Sequence, residues 1–195
     1  MVRTARHLSL FLVLLCLAGC AAKVPYVIIS DYDKRGTRLI AVLPVGGSLP
    51  DRKSAEMLRA KLVEELYYKG YPKIPLNVID EKLATLSLGK GERPDPKAVG
   101  EMLKVDAVLY STLKDSGMGR GIVYAATEVG VECELLSAKT GESLWRAQYR
   151  VIHRNYGFSR RQLELKSSQV YEEALQEVVN RALETLPDGP DAIGS

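Results

Sequence analysis

Apolar and polar positions alternate with a changing period along the chain, and the period divides it. Arg38-Leu39-Ile40-Ala41-Val42-Leu43-Pro44-Val45 is a short, nearly continuous apolar run. Such a run suits a strand buried on both faces. Pro44 and Gly46-Gly47 end it. Ser48 can cap a helix with Pro50 and Asp51 in its first turn. Ala55, Leu58, Leu62 and Leu66 then recur at helical spacing, with Arg59, Lys61, Glu64 and Glu65 around them. Lys69-Gly70 closes this helix with a cation and a residue free to turn left-handed. Leu76-Asn77-Val78-Ile79-Asp80 reads as a second short strand, followed by a weak helix over 81–86. Asp95-Pro96 opens another short helix to Leu103, and Val105 to Leu113 reads as the third strand.

The pattern then changes. Asp115-Ser116-Gly117-Met118-Gly119-Arg120-Gly121 reads as a turn or flexible loop. Val123 to Leu136 and Ser143 to His153 are two long strands around Ala138-Lys139-Thr140-Gly141, a hairpin connection that favours a positive φ at its glycine. In the first of them Val129, Val131, Cys133 and Leu135 alternate with Glu128, Gly130, Glu132 and Glu134, the mark of a sheet with one wet face. The last helix has the clearest stripe: Tyr171, Ala174, Leu175, Val178, Val179, Ala182, Leu183 and Leu186. The expected fold is therefore α/β, a mixed sheet in the order β-α-β-α-β-β-β-α with the helices packed on it.

The start of the chain follows a different logic. Arg3 and Arg6 precede an apolar run of about 11 residues, Leu8 to Ala18. That is well short of the roughly 20 that a membrane-spanning helix needs. Basic, apolar, then small is the layout of a cleaved secretory signal. It ends in Leu17-Ala18-Gly19-Cys20, which resembles the lipobox of bacterial lipoproteins. The resemblance implies cleavage before Cys20, a thioether-linked diacylglycerol on its sulfur and an acyl chain on its new amino group. Stable anchoring takes at least two acyl chains. The expected organisation is a signal peptide over 1–19, a lipidated tether over 20–37 with a short strand at Tyr26–Ile29, one domain over 38–186 and a disordered tail over 187–195. Ala21 stands where enteric bacteria place an Asp in lipoproteins kept at the inner membrane, so an outer-membrane location is expected.

Charge and composition narrow the function. The chain has 195 residues, 46% of them hydrophobic, and a formal net charge of +3. Loss of Arg3 and Arg6 with the signal leaves about +1. A nucleic-acid partner is not expected, because it needs a concentrated basic surface. Cys16 leaves with the signal and Cys20 is acylated, so Cys133 stands alone and no intramolecular disulfide can form.

Candidate chemistry is sparse. His153 is the one histidine after the signal, with no nucleophile motif near it. A zinc site would need His153, Cys133 and carboxylates to converge without any ligand spacing. Gly117-x-Gly119-x-Gly121 lacks the Lys-Ser/Thr and the helix of a phosphate loop. The carboxylate pairs Asp31/Asp33 and Asp80/Glu81 are explained by tether and helix start. Trp145 reads as a sheet anchor. Arg154, Tyr156, Phe158, Arg160 and Arg161 make a local basic-aromatic patch, a candidate contact to anionic headgroups or an acidic partner. No catalytic residue, metal or cofactor is expected beyond the covalent lipid.

Several segments together carry a resemblance. After the lipobox come Leu39-Ile40-Ala41-Val42-Leu43-Pro44-Val45, Val105-Asp106-Ala107-Val108-Leu109-Tyr110 and Leu136-Ser137-Ala138-Lys139-Thr140-Gly141-Glu142-Ser143-Leu144-Trp145, in that order. This resembles a family of Gram-negative envelope lipoproteins of unassigned function that includes a neisserial genome-derived antigen. More distantly it is similar to the curli-secretion-channel lipoprotein, the penicillin-binding-protein activator lipoprotein and the N-terminal domain of the Tol-Pal translocation protein. The resemblance implies a lipid-anchored, periplasm-facing, non-catalytic accessory in envelope assembly or export that binds an envelope protein. The alternatives are a self-assembling ring or sleeve of an export apparatus and a carrier of an apolar ligand. Only Cys20 can be carried over as a functional residue.

Overall fold

Strand β2 (Ile40–Val42) sits at one edge of a five-stranded mixed sheet and β1 (Tyr26–Ile28) at the other. The order across the sheet is β1-β5-β4-β3-β2, where β3 is Ala107–Arg120, β4 is Tyr124–Ser137 and β5 is Ser143–Tyr156. Only β2 and β3 are parallel, with Ile40 opposite Ala107; the other pairs are antiparallel. The computed structural model describes residues 24–47, 52–86, 89, 92–120, 124–156 and 160–192, with the backbone alone at 115–120, 124–125, 155–156 and 160–169.

Four helices cover the sheet unequally. Helices α1 (Arg52–Tyr68) and α4 (Arg160–Leu183) pack on one face, where Leu58, Leu62 and Leu66 meet Ile40, Val42 and Leu109 in one apolar core. The stripe of α4 is fully buried from Ala174 to Leu183, against Val129, Val131, Cys133 and Leu135 of β4. Burying each Leu or Val there contributes about 1.5–3 kcal/mol. Helices α2 (Leu76–Leu83) and α3 (Pro96–Leu103) cover only the β2–β3 part of the other face, through Ile79 and Val99 against Ala41, Leu43 and Val108. That is why the Leu39–Leu43 run is continuously apolar while β4 alternates.

Four expectations from the sequence are corrected. Leu76–Asp80 is not a strand but the start of α2, because Leu76, Ile79 and Leu83 share one helical face over the second core. Five residues are too few to tell the two periods apart. The connection from β2 to β3 is therefore a crossover carrying three helices. The glycine-rich 115–120 is not a loop but the upper part of β3, paired with 125–128 of β4 across an irregularity between Lys114 and Gly117. Gly130 lies opposite it, where an added Cβ would stand 2.9 Å from the Lys114 carbonyl oxygen, so a long partner strand and a bulge override local turn chemistry.

The flanks are folded onto the domain as well. Residues 24–37 hold the short strand expected near Tyr26–Ile29, but they are not a free tether: that strand, β1, pairs with β5, and Tyr32 is buried with its hydroxyl 3.0 Å from that of Tyr71. The tail returns too, where it was expected to be disordered. The Tyr71 hydroxyl donates to the Pro187 carbonyl at 2.9 Å, Lys69 pairs with Asp188 at 2.7 Å, and the Asp191 amide bonds the Gly70 carbonyl. Gly70, with φ 87°, ends α1 as its sequence suggests and lies against Ala192.

Candidate functional site

The direction of β1 orients the molecule. Its register runs from Tyr26 opposite Ala147 to Ile28 opposite Trp145, toward the beginning of β5. The chain therefore enters from the side where β5 ends. Leu17, Ala18, Gly19 and Cys20 lie outside the described residues, but Val24 is already buried, so only residues 21–23 separate Cys20 from the fold. Arg154 is exposed on β5 opposite Ala126, and Tyr156 closes β5 opposite Tyr124. Arg160 and Arg161 open α4, and Phe158 lies outside the described residues. The described members of the basic-aromatic patch thus share the end of the sheet from which the N-terminus arrives.

Beside that entry the sheet edge is open. The Gln148 amide donates to the Pro25 carbonyl at 3.1 Å and the Leu144 carbonyl accepts from the Ile29 amide, so even-numbered residues of β5 direct their backbone groups away from β4. Beyond Gln148, among the described residues, no strand pairs with Ile152, Arg154 or Tyr156 on that side. Tyr26, Val27 and Ile152 are 52%, 71% and 47% exposed along it. An unpaired, partly apolar edge is a template for another chain.

The opposite end of the sheet holds a basic cleft of about 730 Å³. Its framework is built by the two segments that are most distinctive in sequence. Asp106 accepts the amides of Arg38 and Leu39 at 3.0 and 2.9 Å, fixing the entry to β2. Ser137 Oγ accepts from the amides of Lys139 and Thr140, and Thr140 donates to Glu142, which also receives Arg35. Gly141 takes φ 79° and closes the turn. Asp95 caps α3 through the Ala98 amide at 3.2 Å. Gly100 brings α3 so close to this turn that an added Cβ would stand 2.4 Å from Ala138 Cβ. Onto that frame Lys34, Lys97, Lys104 and Lys139 are placed, all exposed. This cluster was not singled out in the sequence, because its members come from three separate segments.

The groups able to do chemistry are otherwise engaged. His153 Nε2 lies 3.0 Å from Glu177 Oε2, on the α4 side of β5. Burial pushes the Cys133 thiol up to about 12, so it stays protonated and unreactive at neutral pH. Asp80 binds the buried Arg59 with both oxygens, at 2.7 and 2.9 Å, while the same guanidinium donates twice to the Val42 carbonyl. Trp145 is buried and donates to Thr185 Oγ1 at 3.1 Å. On the wet face Glu128, Glu132 and Glu134 pair with Arg150, Lys114 and Arg146. Desolvation pushes the Glu134 carboxyl up, but hydrogen bonds from Arg93 and Arg146 outweigh it and hold the group below the usual carboxylate range. Among the described residues no group of three His, Cys, Asp or Glu is placed to hold a metal, and no helix is long and apolar enough to cross a membrane.

Comparison with known proteins gives a family and a fold. Residues 29–189 match the model of a family described as "Putative lipoprotein GNA1162-like". Among solved structures the chain is similar to lipoprotein GNA1162 from Neisseria meningitidis, with 22% identity over 70% of this chain and 96% of that one and a TM-score of 0.53. It is also similar to the PelC dodecamer from Paraburkholderia phytofirmans, with 16% identity over 82% of this chain and 96% of that one and a TM-score of 0.47. No curated protein matches it.

Proposed function

We propose, for a chain that belongs to the GNA1162-like lipoprotein family, a non-catalytic role as a lipid-anchored accessory that binds another envelope protein. Cys20 carries the lipid, and the domain faces the periplasm from the outer membrane. The family's description as lipoproteins supports an envelope location and leaves the activity open. No cofactor is needed beyond the lipid.

The observation that carries the binding role is the open edge of β5. Among the described residues no strand pairs with the outer side of β5 at Ile152 and Arg154, next to exposed apolar side chains. A partner strand laid there gains main-chain hydrogen bonds directly, and alternate side chains set its identity. The anchor makes this practical. With residues 21–23 as its whole link, about 10–14 Å fully extended, the domain is confined to a thin layer beside the headgroups. Confinement raises its effective concentration for partners in the same layer. In this reading Arg154 and the start of α4, at that end of the sheet, meet anionic headgroups. The same edge favours a second reading, pairing with another copy of this chain into a closed assembly.

Two measurements test this. Cys20→Ser should move the protein from the membrane to the soluble periplasmic fraction; an unchanged distribution removes the anchor. A photo-crosslinker at position 152 should capture one envelope protein at defined stoichiometry, whereas the same probe at Lys82 on α2 should not. Equal capture at both positions, or capture at neither, refutes the edge as a binding surface. Crosslinks of the chain to itself select the second reading.

A further inference from the structure

We propose that the basic cleft at the far end of the sheet is a docking site for an extended, acidic segment of a protein partner. The inference rests on the protein-binding reading above and adds a second surface to it.

The first ground is charge. Five cations line the cleft, Lys34, Arg35, Lys97, Lys104 and Lys139, against two carboxylates, Glu101 and Asp106. Asp106 is occupied by two backbone amides, and Arg35 by Asp31 and Glu142. The four lysines make no ion pair among the described residues. Elsewhere Lys61, Lys69 and Lys114 each have a carboxylate partner within 4.0 Å. In a chain whose mature form is almost neutral, this is a local concentration of unsatisfied positive charge, and a concave wall focuses its field.

The second ground is preorganisation. The lysines stand on the ends of α3, on the β4–β5 turn and on the turn after β1, locked by Gly100 against Ala138 and by Ser137 and Asp95. A binder whose charges are already held in place loses less on association. Lys104 adds a specific sign. It is the non-glycine residue with positive φ, 55°, at the end of α3, the position where helices ordinarily use glycine. A side chain there is strained relative to glycine, because its Cβ crowds the following carbonyl oxygen. The strain is retained where it places an ammonium in the cleft, as strain is at binding sites.

The third ground identifies the occupant. The cleft is open and polar, not an enclosed apolar cavity that would bury a small molecule. Lysines act as point charges without the planar fork that grips a single carboxylate or phosphate group, so four of them spread along a cleft suit charges spaced along an extended chain. The position excludes the headgroups of the anchoring leaflet. Strand β1 runs away from Cys20 toward this end, and Leu144 at the cleft is five residues along β5 from the level of Val24, roughly 17 Å.

The test titrates fluorescein-labelled deca-glutamate into the purified chain at low salt and reads anisotropy. Lys34→Ala, Lys97→Ala, Lys104→Ala and Lys139→Ala combined should weaken binding at least tenfold with the thermal midpoint unchanged. Lys53→Ala with Lys82→Ala should weaken it less than threefold. Equal losses would mean general charge attraction and overturn the proposal. So would tighter binding of inorganic pyrophosphate than of deca-glutamate, or cleft-dependent binding to phosphatidylglycerol vesicles. Lys104→Gly should raise the thermal midpoint while weakening binding about threefold; unchanged binding, or a lower midpoint, counts against the cleft. The crosslinking experiment separates this from the functional reading. Cleft-dependent binding without any partner crosslink sinks that reading alone, and full crosslinking by the quadruple variant sinks the cleft alone.

Discussion

Replacing Gly100 by Ala tests how tightly the frame of the basic cleft is built. In a helix interior the change should help, by about 1 kcal/mol, because alanine loses less backbone entropy. Here the new Cβ would sit 2.4 Å from Ala138 Cβ, 3.1 Å from its carbonyl oxygen and 3.2 Å from its Cα. Carbon atoms prefer about 3.5–4.0 Å, so the two elements must part by more than 1 Å. Ala138 has no rotamer to turn away, and two of the three contacts are backbone. Overpacking of this kind costs typically 1–3 kcal/mol. The two effects together predict a net loss of up to about 2 kcal/mol, or up to roughly 8 °C in thermal midpoint for a domain of this size. The assay is urea unfolding of the purified chain followed by far-ultraviolet circular dichroism. Ala138→Gly in the same chain removes the shortest contact, so the double variant should recover at least half of the loss beyond the sum of the singles. A Gly100→Ala chain more stable than wild type would mean that helix propensity prevails and that α3 does not press on the β4–β5 turn.

Further expectations concern the rest of the fold. Arg59→Ala leaves the Val42 carbonyl and Asp80 without their guanidinium and should cost about 2–4 kcal/mol; Arg59→Lys should recover less than half, because an ammonium cannot serve both groups as the fork does, and full recovery in urea unfolding would refute this. Thr127 is fully buried with its hydroxyl unpartnered among the described residues, so Thr127→Val should stabilise by about 1 kcal/mol, and a loss of stability would reveal a partner for that oxygen. Glu134 has a folded-state pKa below its unfolded one, so its contribution is present above the unfolded value near 4.3 and disappears as pH falls through the folded value. Glu134→Gln should therefore lower the urea midpoint at pH 7 and leave it closer to wild type at pH 3; an equal difference at both pH values contradicts that sign. Tyr71→Phe should loosen both chain flanks, seen as faster amide exchange around Tyr32 and Pro187.

Much of this architecture is written in local pattern. The stripe of α4, the heptad-like leucines of α1, the alternation in β4 and the Gly141 turn each repeat over enough residues for one period to win. The wet face of β4 follows from the same alternation, down to the glutamates that pair with Arg146, Lys114 and Arg150. What could not be read locally depended on who lies opposite. Leu76–Asp80 became a helix because the second core needed Ile79 and Leu83 on one side. The glycines of 115–120 became strand because β4 offers a partner along its length. Residues 24–37 and 187–192 looked like free ends, yet the hydroxyls of Tyr32 and Tyr71 tie both to the segment that follows α1. Sequence alone determined α1, α4, the long strands β4 and β5 and the one-sided sheet, because each is set by neighbours within a few residues. The basic cleft and the open edge of β5 were decided by tertiary structure alone. Charges from Lys34, Lys97 and Lys139 meet only after β1, α3 and the β4–β5 turn have docked, and an edge is defined by the strand that does not pair with it.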